Sequence, residues 1–272
     1  MIKIITSDID ETLVDNNKKV PQRNIDKIKK AKEMGLIVML ATGRGPYELH
    51  DIPKEAGVID KDRFIICCNG AVIVRADDRK IVDSQTLDFK YVKKIFDFCY
   101  EKKLEFFIYT VDKKYGVNLD NNEKVRSYTN DSYVVEIKDS NINFLKDELI
   151  LKALIKNTDM AYLNSLEIDI AEITDYSLEI AYSSNMFMEI NAKGVDKGIA
   201  LKKVCDYYGI DISEALAIGD NYNDVAMIET AGIGVAVRNA HLQVKERADY
   251  VTKATNEEGA VGEAIEKFIL NK

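Results

Sequence analysis

Cysteine and histidine are scarce in this chain of 272 residues, with four of the first and two of the second. Cys67 and Cys68 are adjacent while Cys99 and Cys205 stand far apart, and these spacings match neither a zinc site nor a dense disulfide framework. A reduced, cytoplasmic setting is the expectation. His50 and His241 fall outside every motif described below, and solvent-facing helix positions are expected for both. Long apolar runs are also missing. The longest, such as residues 36–41, fall far short of the roughly 20 residues needed to span a bilayer. The N-terminal stretch carries no apolar core before a small-residue cleavage site, so no signal peptide is read. A soluble protein with no membrane partner is expected. Positive charge is not in excess either: 38 Lys and Arg against 46 Asp and Glu give a net charge of −8, which argues against a dedicated nucleic-acid binder. What remains is 46% hydrophobic and 31% charged, a composition that excludes wholesale disorder, collagen and a coiled-coil rod. At about 150 residues per domain the length lies between one large domain and two ordinary ones.

The outer segments alternate strand and helix. Residues 2–5 are apolar and β-branched, and Pro21 suits the first turn of a helix whose Ile25, Ile28, Ala31 and Met34 recur at helical spacing before Gly35. Residues 36–41 then read as a buried parallel strand. A helix over 46–56, a strand over 64–68 and a hairpin of 71–75 with 80–84 follow. After Gly194 the alternation resumes: a helix over 197–208, a strand over 215–218, a helix over 224–231 and a strand over 234–237. A short helix over 242–247, a strand over 250–252 and a terminal helix over 258–270 complete the pattern. Between these segments the composition changes, because residues 86–190 hold sixteen of the twenty-three Tyr and Phe and only one glycine, Gly116. Helices over 91–102 and 144–155 and strands near 106–110, 134–137, 177–182 and 187–190 are expected there. Phe96 and Tyr100, at helical spacing, are expected to pack the core of this part. The fold class is therefore α/β, a Rossmann-like parallel sheet formed by residues 1–85 and 191–272, interrupted by an inserted α+β domain over 86–190.

Four turns carry oxygen-rich or phosphate-friendly residues. Asp8 and Asp10 end the first strand, where open α/β sheets place their ligand crevice, and side chains at i and i+2 of an extended chain point to one side. Two close carboxylates hold a cation or share a proton, although a lone D-x-D also forms ordinary turns. Thr42-Gly43-Arg44 follows the next strand; a hydroxyl beside a glycine amide near a helix start suits a phosphate, and equally a plain capped turn. Lys197 opens a helix, against the preference of the helix dipole for acidic residues there. Either a bound anion offsets it, or it is exposed and tolerated. Gly219-Asp220-Asn221-Tyr222-Asn223-Asp224 joins an apolar strand to a helix, with a donor set suited to a hard cation such as magnesium or to helix capping.

Together, D-x-D-x-T-L, T-G-R, an isolated Lys-Gly and G-D-x-x-N-D, in that order and spacing, resemble the haloacid dehalogenase-like hydrolase superfamily. The Cof-type phosphatases of subclass IIB are the closer resemblance, supported by Asn69-Gly70-Ala71 and Met227. The motifs span both outer segments from Asp8 to Asp224. The inserted domain matches by position and size only, as a cap that chooses the substrate. Arg44 and Lys197 are about 150 residues apart in sequence, room for such a cap of about 100 residues, whereas Asp8 to Thr42 leaves room for a single strand-helix-strand passage.

The resemblance implies a Mg2+-dependent phosphoric monoester hydrolase acting on a small phosphorylated metabolite. Sugar phosphates come first, with nucleotide or cofactor phosphates behind them. It implies Asp8 as nucleophile, forming an aspartyl-phosphate, and Asp10 as an acid and base that starts protonated. Magnesium would rest on the Asp8 carboxylate, the Asp10 carbonyl and Asp220, with Asp224 orienting bound water. Thr42, the Gly43 amide, Lys197 and Asn223 would hold the phosphoryl oxygens. Glu11 departs from the glycine frequent at that position, which bears on the turn's φ preference. A phosphomutase of the phosphomannomutase type is the alternative on the same scaffold, and a non-enzymatic phospho-accepting switch a further one. A monomer or weak homodimer is expected.

Overall fold

The apolar segments Ile4–Ser7 (β1), Ile37–Ala41 (β2), Phe64–Cys67 (β3), Ala215–Gly219 (β12) and Ile233–Ala236 (β13) are almost wholly buried, as central strands of a two-sided sheet must be. In the computed structural model, which describes residues 1–119, 134–183 and 185–271, they lie in an eight-stranded sheet ordered β14-β13-β12-β1-β2-β3-β4-β5. The outer members are Val72–Arg75 (β4), Ile81–Ser84 (β5) and Tyr250–Val251 (β14). Pairing is parallel from β14 through β3, and β4 returns antiparallel.

The helix Gln22–Glu33 (α1) joins β1 to β2. It ends where Gly35, at φ 87°, lets Leu36 N–H reach the Ala31 carbonyl at 3.1 Å and Gly35 N–H that of Lys32 at 2.9 Å, closing the last turn. Lys197–Tyr208 (α5) and Val225–Thr230 (α6) bury Ala200, Leu201, Val204 and Met227 against Ile4, Met39, Ala41 and Ile66 of the sheet. The helix expected over 46–56 is broken into a turn of 3-10 helix, Pro46–Glu48, and the short α2, Ile52–Glu55. Pro53 lacks the N–H a continuous helix would need there, and His50 at φ 47° redirects the chain. After the short Leu242–Lys245 (α7), the expected terminal helix is a 3-10 turn, Asn256–Glu258, then Ala260–Ile265 (α8) beyond Gly259 at φ 79°, then a π-turn, Glu266–Leu270.

Two compact units result: Met1–Asp83 with Asp196–Lys272, and Ser84–Val195. The second unit is a six-stranded sheet ordered β10-β11-β9-β6-β7-β8. Its strands are Glu105–Tyr109 (β6), Lys114–Val117 (β7), Val134–Glu136 (β8), Lys152–Lys156 (β9), Leu178–Ser183 (β10) and Phe187–Ala192 (β11). Phe89–Glu101 (α3) and Met160–Ile173 (α4) supply Val92, Phe96, Leu163, Leu166 and Ile170 to a core with Phe106, Ile108, Ala153, Ile155 and Ile190. Phe96 is fully buried and stacks on the partly buried Tyr100, as their spacing predicts.

Residues 144–155 do not form the expected α-helix. A 3-10 turn, Asn143–Leu145, leads into β9, where Lys152, Leu154 and Lys156 alternate with Ala153 and Ile155 at the period of a strand paired on both edges. β7 and α4 lie outside the elements expected from spacing, although Asp159 caps α4 by accepting from Tyr162 N at 3.1 Å. Among the described residues no helix is long and apolar enough to cross a membrane.

Candidate active site

Because β1, β2, β3 and β12 run parallel, the segments that follow them emerge along one rim of the sheet. Asp8 follows β1, its N–H bonded to the Ile218 carbonyl at 2.9 Å. Thr42 follows β2, bonded likewise to Ile66 at 2.9 Å, and Asp220 follows β12.

Lys197 is fully buried between two carboxylates, donating to Asp8 Oδ1 at 2.6 Å and to Asp224 Oδ1 at 2.6 Å. Its helix α5 starts at Asp196, whose carboxylate accepts from Ile199 N at 2.7 Å. Two glycines let this helix start sit so deep. A Cβ at Gly70, itself at φ 104°, would meet the Asp196 carbonyl oxygen at 2.4 Å, and one at Gly198 the Ala226 carbonyl oxygen at 2.5 Å. A lysine in a first helical turn opposes the helix dipole, and here two protein carboxylates offset it.

Asp224 is buried and its other oxygen accepts from the N–H groups of Asp220 and Asn221 at 2.9 and 3.0 Å. Asp220 accepts from the Thr12 hydroxyl at 2.6 Å. Asp8, Asp220 and Asp224 each present an oxygen within 4.8 Å of the others. Burial pushes the Asp8 carboxyl up to about 7 against the pull of Lys197, with Asp224 and Asp10 adding to the rise. Burial, then Asp8 and Asp224, push Asp220 up to about 9. Burial works against the Lys197 ammonium, but Asp224 and Asp8 hold its pKa above the ordinary value. Three buried carboxylates around one ammonium are short of positive charge, and an all-oxygen donor set suits a hard divalent cation.

Asp10 does not join that cluster with its carboxylate. Arg44 grips it in a bidentate fork, Nε to Oδ2 and Nη2 to Oδ1 both at 2.7 Å, and Lys18 Nζ reaches Oδ1 at 2.9 Å. Burial opposes ionisation, yet the Arg44 bonds and charge, with Lys18, lower the pKa to about 2. The expectation that Asp10 starts protonated is therefore corrected for this conformation: two cations hold it as a carboxylate.

Thr42, Gly43 and Asn223 gather around Asn69. The Thr42 carbonyl accepts from Asn69 N at 2.9 Å, the Thr42 hydroxyl from Arg44 N at 3.2 Å, and Asn223 Nδ2 donates to Asn69 Oδ1 at 2.9 Å. A Cβ on Gly43 would lie 3.1 Å from Asn69 Oδ1. Asn223 Oδ1 is buried with no hydrogen-bond partner.

A profile of haloacid dehalogenase-like hydrolases matches residues 5–265. The chain belongs to this family. It is 29% identical over 269 residues, 99% of this chain and 96% of the relative, to a 5-amino-6-(5-phospho-D-ribitylamino)uracil phosphatase of Bacillus subtilis. A haloacid dehalogenase-like hydrolase from Bacteroides thetaiotaomicron has a crystal structure that superposes with a TM-score of 0.86 at 29% identity, covering 99% of this chain and 100% of that one. A subclass IIB sugar phosphatase of the same superfamily shares the fold at a TM-score of 0.83 and 24% identity, each chain being 98% covered. The reading of the chain as a phosphoric monoester hydrolase stands on this match.

In this haloacid dehalogenase-like hydrolase Glu11 adopts φ 58°, the left-handed conformation in which glycine is at ease. Thr12, Arg44 and Asn69 also contribute to the site, and all three lie inside the motifs, where residue type alone assigns them no role. Lys18 lay in none, and no spacing rule points to it. His241 is exposed at the start of α7 and stacks on Tyr222 at 4.9 Å between ring centroids. His50 is exposed in a left-handed turn rather than on a helix.

Proposed function

We propose that this chain is a Mg2+-dependent phosphatase that hydrolyses small phosphorylated metabolites, sugar phosphates foremost, through an aspartyl-phosphate. The observation that carries the reading is Lys197, wholly buried and bonded at 2.6 Å to both Asp8 and Asp224 at the carboxyl rim of a parallel sheet. Asp8, Asp220 and the Asp10 carbonyl would hold magnesium, with Asp224 orienting bound water. The ion, when bound, neutralises charge on the phosphoryl oxygens.

Asp8 attacks phosphorus with a carboxylate oxygen, and the bond to the ester oxygen breaks as Asp10 gives that oxygen a proton. Water then attacks the aspartyl-phosphate, Asp10 takes the water's proton, and phosphate leaves with Asp8 regenerated. To act as an acid, Asp10 must pick up a proton and leave the grip of Arg44 and Lys18. Thr42, the Gly43 amide, Lys197 and Asn223 would hold the transferred group, Asn223 through its Nδ2 donor, which also bonds Asn69 Oδ1 at 2.9 Å. The unit Ser84–Val195 is assigned the part of the cap, and the outer unit that of the catalytic core.

A panel of phosphorylated metabolites, assayed for free phosphate with magnesium and again with chelator, tests this reading. Release that stops with chelator and is abolished in Asp8→Asn is expected. Isomerisation of a hexose phosphate that needs a bisphosphate primer, without phosphate release, would replace it with a mutase. Phosphorylation without turnover would replace it with a phospho-accepting switch.

A further inference from the structure

The motif Asn69-Gly70-Ala71 has no part in the reaction described above, yet the turn that carries it touches three of the four turns of the site. It follows β3 on the same rim, within the outer unit. Cys68, Asn69 and Gly70 all adopt positive φ, at 49°, 56° and 104°. Such residues in succession are costly unless their surroundings fix them, and here the site itself supplies the surroundings.

Backbone bonds dock the turn onto the segment after β2. Cys68 N–H donates to the Arg44 carbonyl and Asn69 N–H to the Thr42 carbonyl, both at 2.9 Å. The bare Cα of Gly70 lies against the Asp196 carbonyl at the start of α5, where no Cβ fits. The third contact is made by the Asn69 side chain. It is buried, at 8% exposure, and its Oδ1 accepts from Asn223 Nδ2 at 2.9 Å. The same oxygen rests against Gly43, where a Cβ would stand 3.1 Å from it and 3.7 Å from Asn223 Nδ2.

An asparagine amide has two unlike edges: its NH2 donates through two hydrogens, and its oxygen only accepts. A phosphoryl oxygen is an acceptor, so it is held by the first edge and repelled by the second. A half-turn of the Asn223 amide would therefore turn a phosphate donor into an opponent. Asn69 Oδ1 opposes that half-turn, because it would then face Asn223 Oδ1 with no hydrogen between the two acceptors. One hydrogen of Asn223 Nδ2 is engaged by Asn69, and the second is left for the transferred group. Asparagine suits position 69 for a double reason. Glycine takes the left-handed turn but brings no acceptor, and aspartate adds another carboxylate to a rim that already buries Asp8, Asp220 and Asp224. We propose that Asn69 is a positioning residue of the phosphate site, fixing the Asn223 amide in the orientation that offers Nδ2, and not Oδ1, to a phosphoryl oxygen. This role rests on the phosphatase reading, in which Asn223 holds the transferred group.

Asn69→Gly removes the acceptor and keeps a residue at ease in the left-handed turn, so the urea midpoint should stay near that of the wild type. With p-nitrophenyl phosphate and magnesium, it should lower kcat/KM about tenfold and raise the inhibition constant of inorganic phosphate by a similar factor. Asn223→Ala should cost at least as much. The double variant should be no worse than Asn223→Ala alone, because Asn69 acts through an amide that is already gone. Losses that multiply in the double variant, or an unchanged kcat/KM in Asn69→Gly, overturn the proposal.

Amide signals of the 15N-labelled full chain test the same role without turnover. The Asn223 Nδ2 pair, identified by its absence in Asn223→Ala, should shift when inorganic phosphate and magnesium are added to the wild type. In Asn69→Gly the same shift should need about tenfold more phosphate. A pair left unmoved by phosphate in the wild type overturns the proposal, whether or not the glycine variant folds. A wild type that releases phosphate from no ester defeats the phosphatase reading alone, and the phosphate titration then decides the role of Asn69.

Discussion

At Glu11 a single torsion decides what the residue costs. Its φ of 58° is penalised for an L-residue by about 1 kcal/mol or slightly more, whereas glycine adopts it freely but loses roughly 0.5–1 kcal/mol through its looser unfolded chain. Glu11→Gly should therefore leave stability unchanged or raise it by up to about 1 kcal/mol, and Glu11→Val should lower it, both read from the urea midpoint. Lys197 behaves in the opposite way, since its value lies in charge at a point where solvent cannot reach. Lys197→Met leaves Asp8 and Asp224 buried without their shared cation, a loss on the order of 3–5 kcal/mol for a broken buried pair. On the proposed role of Lys197 as a donor to the transferred group, kcat should fall as well, by about 10²–10³ or more, measured as phosphate release on any accepted ester. A variant with unaltered kcat would remove Lys197 from the reaction.

Helix α5 turns that residue into a site, and its glycines test how. Gly198 faces α6 so closely that a Cβ would stand 2.5 Å from a backbone oxygen, while Gly209, at φ 64° beyond the helix end, has nothing within 4 Å. Gly209→Ala should cost only the left-handed penalty of about 1 kcal/mol. Gly198→Ala should cost about 3 kcal/mol, the upper end for overpacking, and should also lower activity by shifting the start of α5. Urea denaturation with a parallel assay separates the two.

Elements like α5 and β12 were legible because an apolar run or a helical stripe ended in an unambiguous cap or turn. The segment 144–155 was not, since Leu145 with Leu149 and Leu151 with Ile155 stand four apart as on a helix face, and only pairing on both edges of β9 makes the period of two decisive. The rim residues were legible as types at strand ends. The fork between Arg44 and Asp10 was not, because 34 positions separate partners whose meeting depends on the turn after β2.

Over the whole molecule the acid surplus is unevenly distributed. Residues 86–190 hold nineteen acids against thirteen bases, and the outer segments 27 against 25, so the outer segments are close to neutral in sequence while Asp8, Asp220 and Asp224 crowd together in space. That crowding ties stability to both protons and cations. Asp8 and Asp220 have folded pKa values of about 7 and about 9, above the usual carboxylate value of 3.8, so between these limits the folded state binds more protons than the unfolded chain. Their contribution favours folding below the ordinary carboxylate pKa and is withdrawn as pH rises toward the folded values. Asp10 has the opposite sign, but its window lies between about 2 and 3.8, where its contribution is lost on acidification. Without divalent cation, Tm should therefore decline as pH rises from about 5 to 9. A cation bound among the same oxygens competes with those protons, so the rise in Tm on adding millimolar magnesium should be small at pH 5 and grow through pH 9. Calorimetry at fixed ionic strength measures both trends. Asp220→Asn, which removes one carboxylate of the cluster, should flatten the decline and shrink the magnesium effect together. A magnesium shift independent of pH, or one that survives intact in that variant, would place the cation away from these three carboxylates.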